Sequence, residues 1–162
     1  MIDYLELLAR LLTATLVGCA VGLDRNLHGK PTGMKTLGLV ALGASLATMA
    51  SLNFNFLPQA YDSAAVSRTI QGIITGIGFL GAGVIVHSRD SEHVHGLTTA
   101  ASIWVTAAIG IVCGMGWWKV AGVVLLVILA LFLIGRPLER TLHRRWMAKS
   151  DAERAAASHH EE

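Results

Sequence analysis

Charge is what this chain has least of. Charged residues make up 15% of its 162 positions, while hydrophobic residues make up 53%. Soluble domains carry about 25% charged residues, so a soluble globule is excluded and a membrane protein is indicated. The formal net charge is only +2. That gives no general basic excess for a nucleic-acid partner, and the information lies in where the charges fall. Cysteine is also scarce. Cys19 and Cys113 both lie in apolar segments, where free thiols act as small hydrophobes, and no disulfide framework is implied. The chain has no nucleophile–base arrangement, phosphate loop or zinc-finger spacing. The expectation is therefore not an enzyme, with no cofactor. No long-period repeat is visible. The first apolar segment starts at once, with Asp3, Glu6 and Arg10 near it and no basic leader, so it reads as a retained span rather than a cleaved signal.

What is present is apolar length. Five spans can be drawn, at about 4–23, 36–52, 66–86, 97–115 and 118–135. Each matches a hydrocarbon core of about 30 Å at 1.5 Å per residue. The expected fold class is all-α: a polytopic membrane bundle of about five transmembrane helices filling residues 1–135. A basic amphipathic cytoplasmic helix over 136–149, beginning around Pro137, and a polar tail over 150–162 should follow.

Orientation comes from lysine and arginine. Arg25, Lys30 and Lys35 fall in the first connection and Arg89 in the third. Arg136, Arg140, Arg144, Arg145, Lys149 and Arg154 fall in the tail, and only Arg10, Arg68 and Lys119 lie on the other side. The positive-inside rule then puts the N-terminus outside and the C-terminus in the cytoplasm. Trp117, Trp118 and Tyr4 sit where interfacial rings are favoured.

The third span is rich in glycine. Gly76, Gly78, Gly81 and Gly83 fall within eight residues. In a soluble helix each would cost about 1 kcal/mol relative to Ala, whereas in a bilayer small residues let backbones approach closely. Gly72, Gly76 and Gly83 share one face, and Gly78 and Gly81 lie nearly opposite. The pattern predicts a central helix packed on both sides. A broken helix with carbonyls lining an ion site is the competing reading, and no carboxylate lies inside the segment. In the fourth span Thr99, Ser102, Thr106, Gly110 and Cys113 form a stripe, with Thr98 beside it. This is read as a packing and hydrogen-bonding face, with a hydroxyl-lined conduction path as the alternative. Small-xxx-small pairs also occur at Gly18/Gly22, Gly72/Gly76 and Gly110/Gly114.

Asp24 is the carboxylate best placed near the membrane, where ionisable groups are functional candidates. With Arg25, Lys30 and Lys35 it forms a charged cluster at the cytoplasmic end, and Arg68 anchors the opposite end. His87, His93 and His95 carry a His-x-His spacing that is read as a solvated loop, so no metal site is assigned.

Four blocks carry a family resemblance. They are Gly22-Leu-Asp24-Arg25; Gly29-Lys30-Pro-Thr-Gly33-Met-Lys35-Thr36; Arg68-Thr-Ile-Gln71-Gly72 through Gly83-Val84-Ile85; and Gly96-Leu97-Thr98-Thr99 through Trp104, continuing to Gly110. The sequence resembles the MgtC/SapB family of bacterial inner-membrane proteins over about 7–135. Asp24-Arg25 stands where the family usually has Glu-Arg, and Met34-Lys35-Thr36 stands where it often has Leu-Arg-Thr. Lysine cannot reproduce an arginine fork. The family's best-studied members carry a soluble C-terminal domain, whereas here a short basic tail follows the fifth span.

The resemblance implies a multi-pass inner-membrane protein linked to growth at low magnesium and to survival of pathogens in host cells. It also implies action through membrane protein partners, ATP synthase among them. The function expected is a non-enzymatic regulator, with a small oligomeric ion channel or transporter as the alternative. The expected partners are the lipid bilayer and other membrane proteins, with a homo-oligomer as a further expectation and no nucleic acid.

Overall fold

The computed structural model describes residues 4–53, 63–87 and 94–147. Each apolar segment read from the sequence is a helix: α1 (Tyr4–Leu27), α2 (Met34–Asn53), α3 (Ser63–Val84), α4 (Leu97–Gly114) and α5 (Trp118–Met147). Val86–His87 (β1) and Val94–His95 (β2) add a two-residue antiparallel bridge between α3 and α4. Otherwise the fold is all-α. Of the expected loop histidines, His93 lies outside the described residues, as do residues 54–62 and the polar tail expected over 150–162.

α1, α2, α4 and α5 contain windows long and apolar enough to cross a membrane. α3 has 22 residues, long enough by its rise, but Arg68, Gln71 and its glycines dilute its hydropathy. Many large apolar side chains are exposed, including Leu8, Leu12 and Leu16 of α1, Leu39 and Leu46 of α2, and Val123 of α5. A surface of this kind suits hydrocarbon rather than water.

The helix ends follow local chemistry. α1 carries Glu6 in its first turn and Arg25 in its last, each complementing the helix dipole. It closes on Gly29 at φ 60, where Gly29 N–H donates to Asn26 O (3.1 Å) and Lys30 N–H to Arg25 O (3.0 Å). This is a Schellman ending. α4 ends the same way on Gly116 at φ 76, with Gly116 N–H donating to Cys113 O (2.9 Å) and Trp117 N–H to Val112 O (3.1 Å).

α1, α2 and α4 pack on one another, and α3 packs on α4 and α2. The core is made of small residues. Ala14, Val17 and Val21 of α1 meet Leu37, Ala41, Ala44, Ser45 and Thr48 of α2, with Thr106, Ala107, Ile109 and Cys113 of α4, all buried. Side chains this small allow backbone-to-backbone contact. A Cβ on Gly18 would lie 2.6 Å from Leu37 O, and one on Gly114 2.7 Å from Ser45 O. Gly110 is in still closer contact with the Ala41 carbonyl. α3 joins through Ile70, Ile73, Ile74 and Ile77, which pack against Ala44, Ala107 and Ile111.

The chain divides into two compact units, the second starting at Leu126 within α5. The separate helix expected from Pro137 is instead a continuation of α5 to Met147, with Pro137 inside it. Proline has no N–H to donate to Leu133 O, so it removes one backbone bond without ending the helix. Cys19 and Cys113 are free thiols.

Candidate functional site

Arg25 is the point where the charged connection meets the polar stripe. Its side chain is buried, at 3% exposure, in the last turn of α1. A guanidinium offers five N–H donors in a rigid plane, and here they reach two segments, α4 and the loop before α2. Nη1 donates to Ser102 Oγ (2.9 Å) and Nη2 to Thr99 Oγ1 (2.6 Å). Nη2 also reaches Pro31 O (3.1 Å), and Nε reaches Thr32 O (3.3 Å).

The acceptors are themselves positioned. Ser102 Oγ–H donates to Thr98 O (2.7 Å), so its lone pairs are left to face Arg25. Thr106 Oγ1–H donates to Ser102 O (2.7 Å). The loop presents its carbonyls through a turn with Thr32 at φ 60, a strained value for a β-branched residue. Gly33 leaves room for the Asn26 side chain, and a Cβ on Gly22 would lie 2.5 Å from Met34 Cα. The start of α2 is therefore fastened against the end of α1.

The expected charged cluster divides around this node. Arg25 is inside it. Asp24 is half-buried beside it, with Oδ1 3.7 Å from His28 Nδ1; that nitrogen also lies 2.7 Å from Asp24 O. Lys30 and Lys35 are exposed. Arg68 is exposed near the start of α3, at the opposite end of that helix from Gly81, where an added Cβ would lie 3.6 Å from Ala100 Cβ of α4.

The expected packing residues divide as well. Thr99, Ser102 and Gly110 are buried in the interface, while Thr98 is exposed and contributes its carbonyl. In α3 only Gly81 has a neighbour. A Cβ added at Gly72, Gly76, Gly78 or Gly83 would meet nothing within 4 Å. Among the described residues of the first unit, α3 therefore packs on α2 and α4 through its isoleucines rather than through the close-packing glycine centre expected there. Backbone contact is concentrated instead at Gly18, Gly22, Gly38, Gly110 and Gly114.

A second arginine escaped the sequence reading. Arg10 Nε donates to Glu6 Oε1 (2.8 Å) and Nη1 to Gly114 O (2.7 Å), the last carbonyl of α4. Its available signal was the Glu6/Arg10 i,i+4 spacing. α1 thus grips α4 at both ends through arginine. Both arginines act by the geometry of their donors. Among the described residues, no group of three or more His, Cys, Asp or Glu side chains could hold a metal ion.

A helical membrane protein with a tightly packed core, held by a buried arginine, is the class these features define. The chain matches the MgtC family over residues 11–141, and it belongs to that family. It is 45% identical over 123 residues to Protein SrpB of Synechococcus elongatus, covering 72% of this chain and 68% of that one. Protein SapB of Bacillus subtilis is 38% identical over 126 residues, 76% of this chain and 54% of its own. Protein MgtC of Salmonella typhimurium is 36% identical over 134 residues, 83% of this chain and 54% of its own. The match therefore spans about half the length of the last two. No solved structure matches the chain.

Proposed function

We propose that this protein is a non-enzymatic regulator in the bacterial inner membrane, acting on membrane protein partners during adaptation to low magnesium. Support for the regulatory reading over a conduction path rests on one observation. The hydroxyls of α4 that would line such a path are engaged within the protein: Thr99 and Ser102 accept from Arg25, and Thr106 donates to Ser102 O. The magnesium link rests on family membership and the similarity to Protein MgtC. The same proposal places the N-terminus outside and the cluster of Asp24, Arg25, Lys30 and Lys35 in the cytoplasm, following the lysine and arginine distribution.

Asp24 is then the residue that faces a partner. Arg25 holds the loop beside it, and the exposed Lys30 and Lys35 complete a mixed-charge surface. Growth of a bacterium lacking its own family member, in low-magnesium medium, tests the reading. The wild-type chain should restore growth, and Asp24→Asn should fail at equal membrane abundance. Equal growth with wild type, Asp24→Asn and Arg25→Gln would overturn it.

A further inference from the structure

We infer that the connection between α1 and α2 is a spring-loaded strap, which strain at Thr32 pushes open and Arg25 holds shut. Thr32 has φ 60. That left-handed region suits glycine and is tolerated by asparagine, but a β-branched residue there is an outlier. The neighbours give it no room to relax in place. Pro31 has its own φ fixed by its ring. Gly33, on the other side, has the Asn26 side-chain amide where a Cβ would stand. A backbone of this kind persists only where the surrounding structure over-determines it.

The two ends of the connection are tied to their helices. At the start, His28 N–H and Lys30 N–H donate to Arg25 O (3.2 and 3.0 Å), and Gly29 N–H donates to Asn26 O (3.1 Å). At the finish, Gly33 O accepts from Leu37 N–H (3.1 Å). The middle is held differently. Pro31 O accepts from Arg25 Nη2 (3.1 Å) and Thr32 O from Arg25 Nε (3.3 Å). The remaining bond there is internal, from the Thr32 hydroxyl to Pro31 O (2.6 Å). Among the described residues, the hydrogen bonds that fasten Pro31 and Thr32 to the rest of the protein therefore all come from one side chain.

That side chain has a seat of its own. Thr99 Oγ1 and Ser102 Oγ accept from its two terminal nitrogens (2.6 and 2.9 Å). Arg25 can thus let go of the two loop carbonyls and still be held by α4. Once it does, nothing keeps Thr32 at φ 60. The residue falls back to negative φ, the turn leaves α4, and Arg25 Nε is freed. The strap has two states: shut with Thr32 strained, and open with Thr32 relaxed. All its parts lie within the first compact unit, Met1–Leu125. A permanently shut turn would carry glycine or asparagine at this position, where either meets φ 60 with little strain. Threonine instead brings the open state closer to balance. The inference does not depend on the regulatory reading, because the two states follow from the turn and the arginine alone.

Thermal unfolding and hydrogen exchange of four full-length chains in detergent test it: wild type, Thr32→Asn, Arg25→Lys and the double variant. Thr32→Asn removes the strain while Arg25 still holds the turn. Its Tm should rise by about 2–4 °C, and exchange of the amides at 28–33 should slow by about fivefold. In the Arg25→Lys chain the strap is already open and there is no strain left to relieve. Adding Thr32→Asn there should neither raise Tm nor slow exchange. If Arg25→Lys fails to accumulate, Thr99→Val is the second background, since it removes the shortest bond that seats Arg25; a reduced gain from Thr32→Asn is expected in it. An ordinary loop stabilisation would give the same gain in every background, and that result would overturn the strap. So would a Thr32→Asn chain that melts and exchanges as wild type does.

Discussion

Gly18→Ala adds a single methyl group, yet it should be among the most damaging changes of that size in the molecule. The new Cβ would lie 2.6 Å from Leu37 O, 2.9 Å from Ala41 Cβ and 3.1 Å from Gly38 Cα. Carbon–oxygen contacts settle near about 3.4 Å, so α1 and α2 must part by most of an ångström. The obstructing atoms are backbone or the first atom of a side chain, and none can rotate aside. The separation then reaches Ala14, Val17, Val21, Leu37 and Ala41, all buried. Overpacking of this kind costs about 1–3 kcal/mol. A value of about 2 kcal/mol lowers Tm by about 4–8 °C in a chain of this size. Gly122→Ala is the control. Nothing lies within 4 Å of its Cβ position, and alanine gains up to about 1 kcal/mol over glycine within a helix. Thermal unfolding in detergent, followed as loss of the monodisperse size-exclusion peak, reads both. A Gly18→Ala chain that melts with wild type, or a Gly122→Ala chain that falls as far, would refute the packing argument.

Arg25→Lys should loosen the loop, because a single ammonium cannot reach Thr99, Ser102, Pro31 O and Thr32 O together. Faster hydrogen exchange of the amides at 28–33 and lower membrane abundance are expected. Arg25→Ala should be worse, since each orphaned buried acceptor costs about 1–3 kcal/mol. Arg10→Gln removes the cap on Gly114 O and should lower Tm by a few degrees, consistent with about 1 kcal/mol for such a bond. Topology is testable by labelling single cysteines with an impermeant reagent: Ser63→Cys should react in intact cells and Lys30→Cys only after permeabilisation.

The helices were legible because apolar length is a one-dimensional property. All five apolar segments form helices at nearly the expected places. Partner choice was less legible. The α4 stripe was read as a packing face and Arg25 as part of a charged cluster, but their direct contact joins residues 74 and 77 positions apart, which spacing alone cannot reveal. The glycines show the same limit. Gly18/Gly22 and Gly110/Gly114 were marked as pairs and do lie at close contacts, whereas the denser run in α3 faces outward. Arg10 was counted only for orientation, because its acceptor, the Gly114 carbonyl, exists only once α4 ends there. Pro137 read as a helix start because that is proline's commonest helical place; in α5 the surrounding turns carry the helix through it.

The central claim is that the polar stripe of α4 is a structural seat for Arg25 and not the lining of a conduction path. Ion flux through purified protein in sealed liposomes tests this most directly, with a magnesium-sensitive dye inside and a monovalent gradient run in parallel. The account predicts rates equal to protein-free liposomes for both ions, in wild type and in Ser102→Ala. Saturable Mg²⁺ entry or a monovalent leak that scales with protein and changes in Ser102→Ala would contradict it.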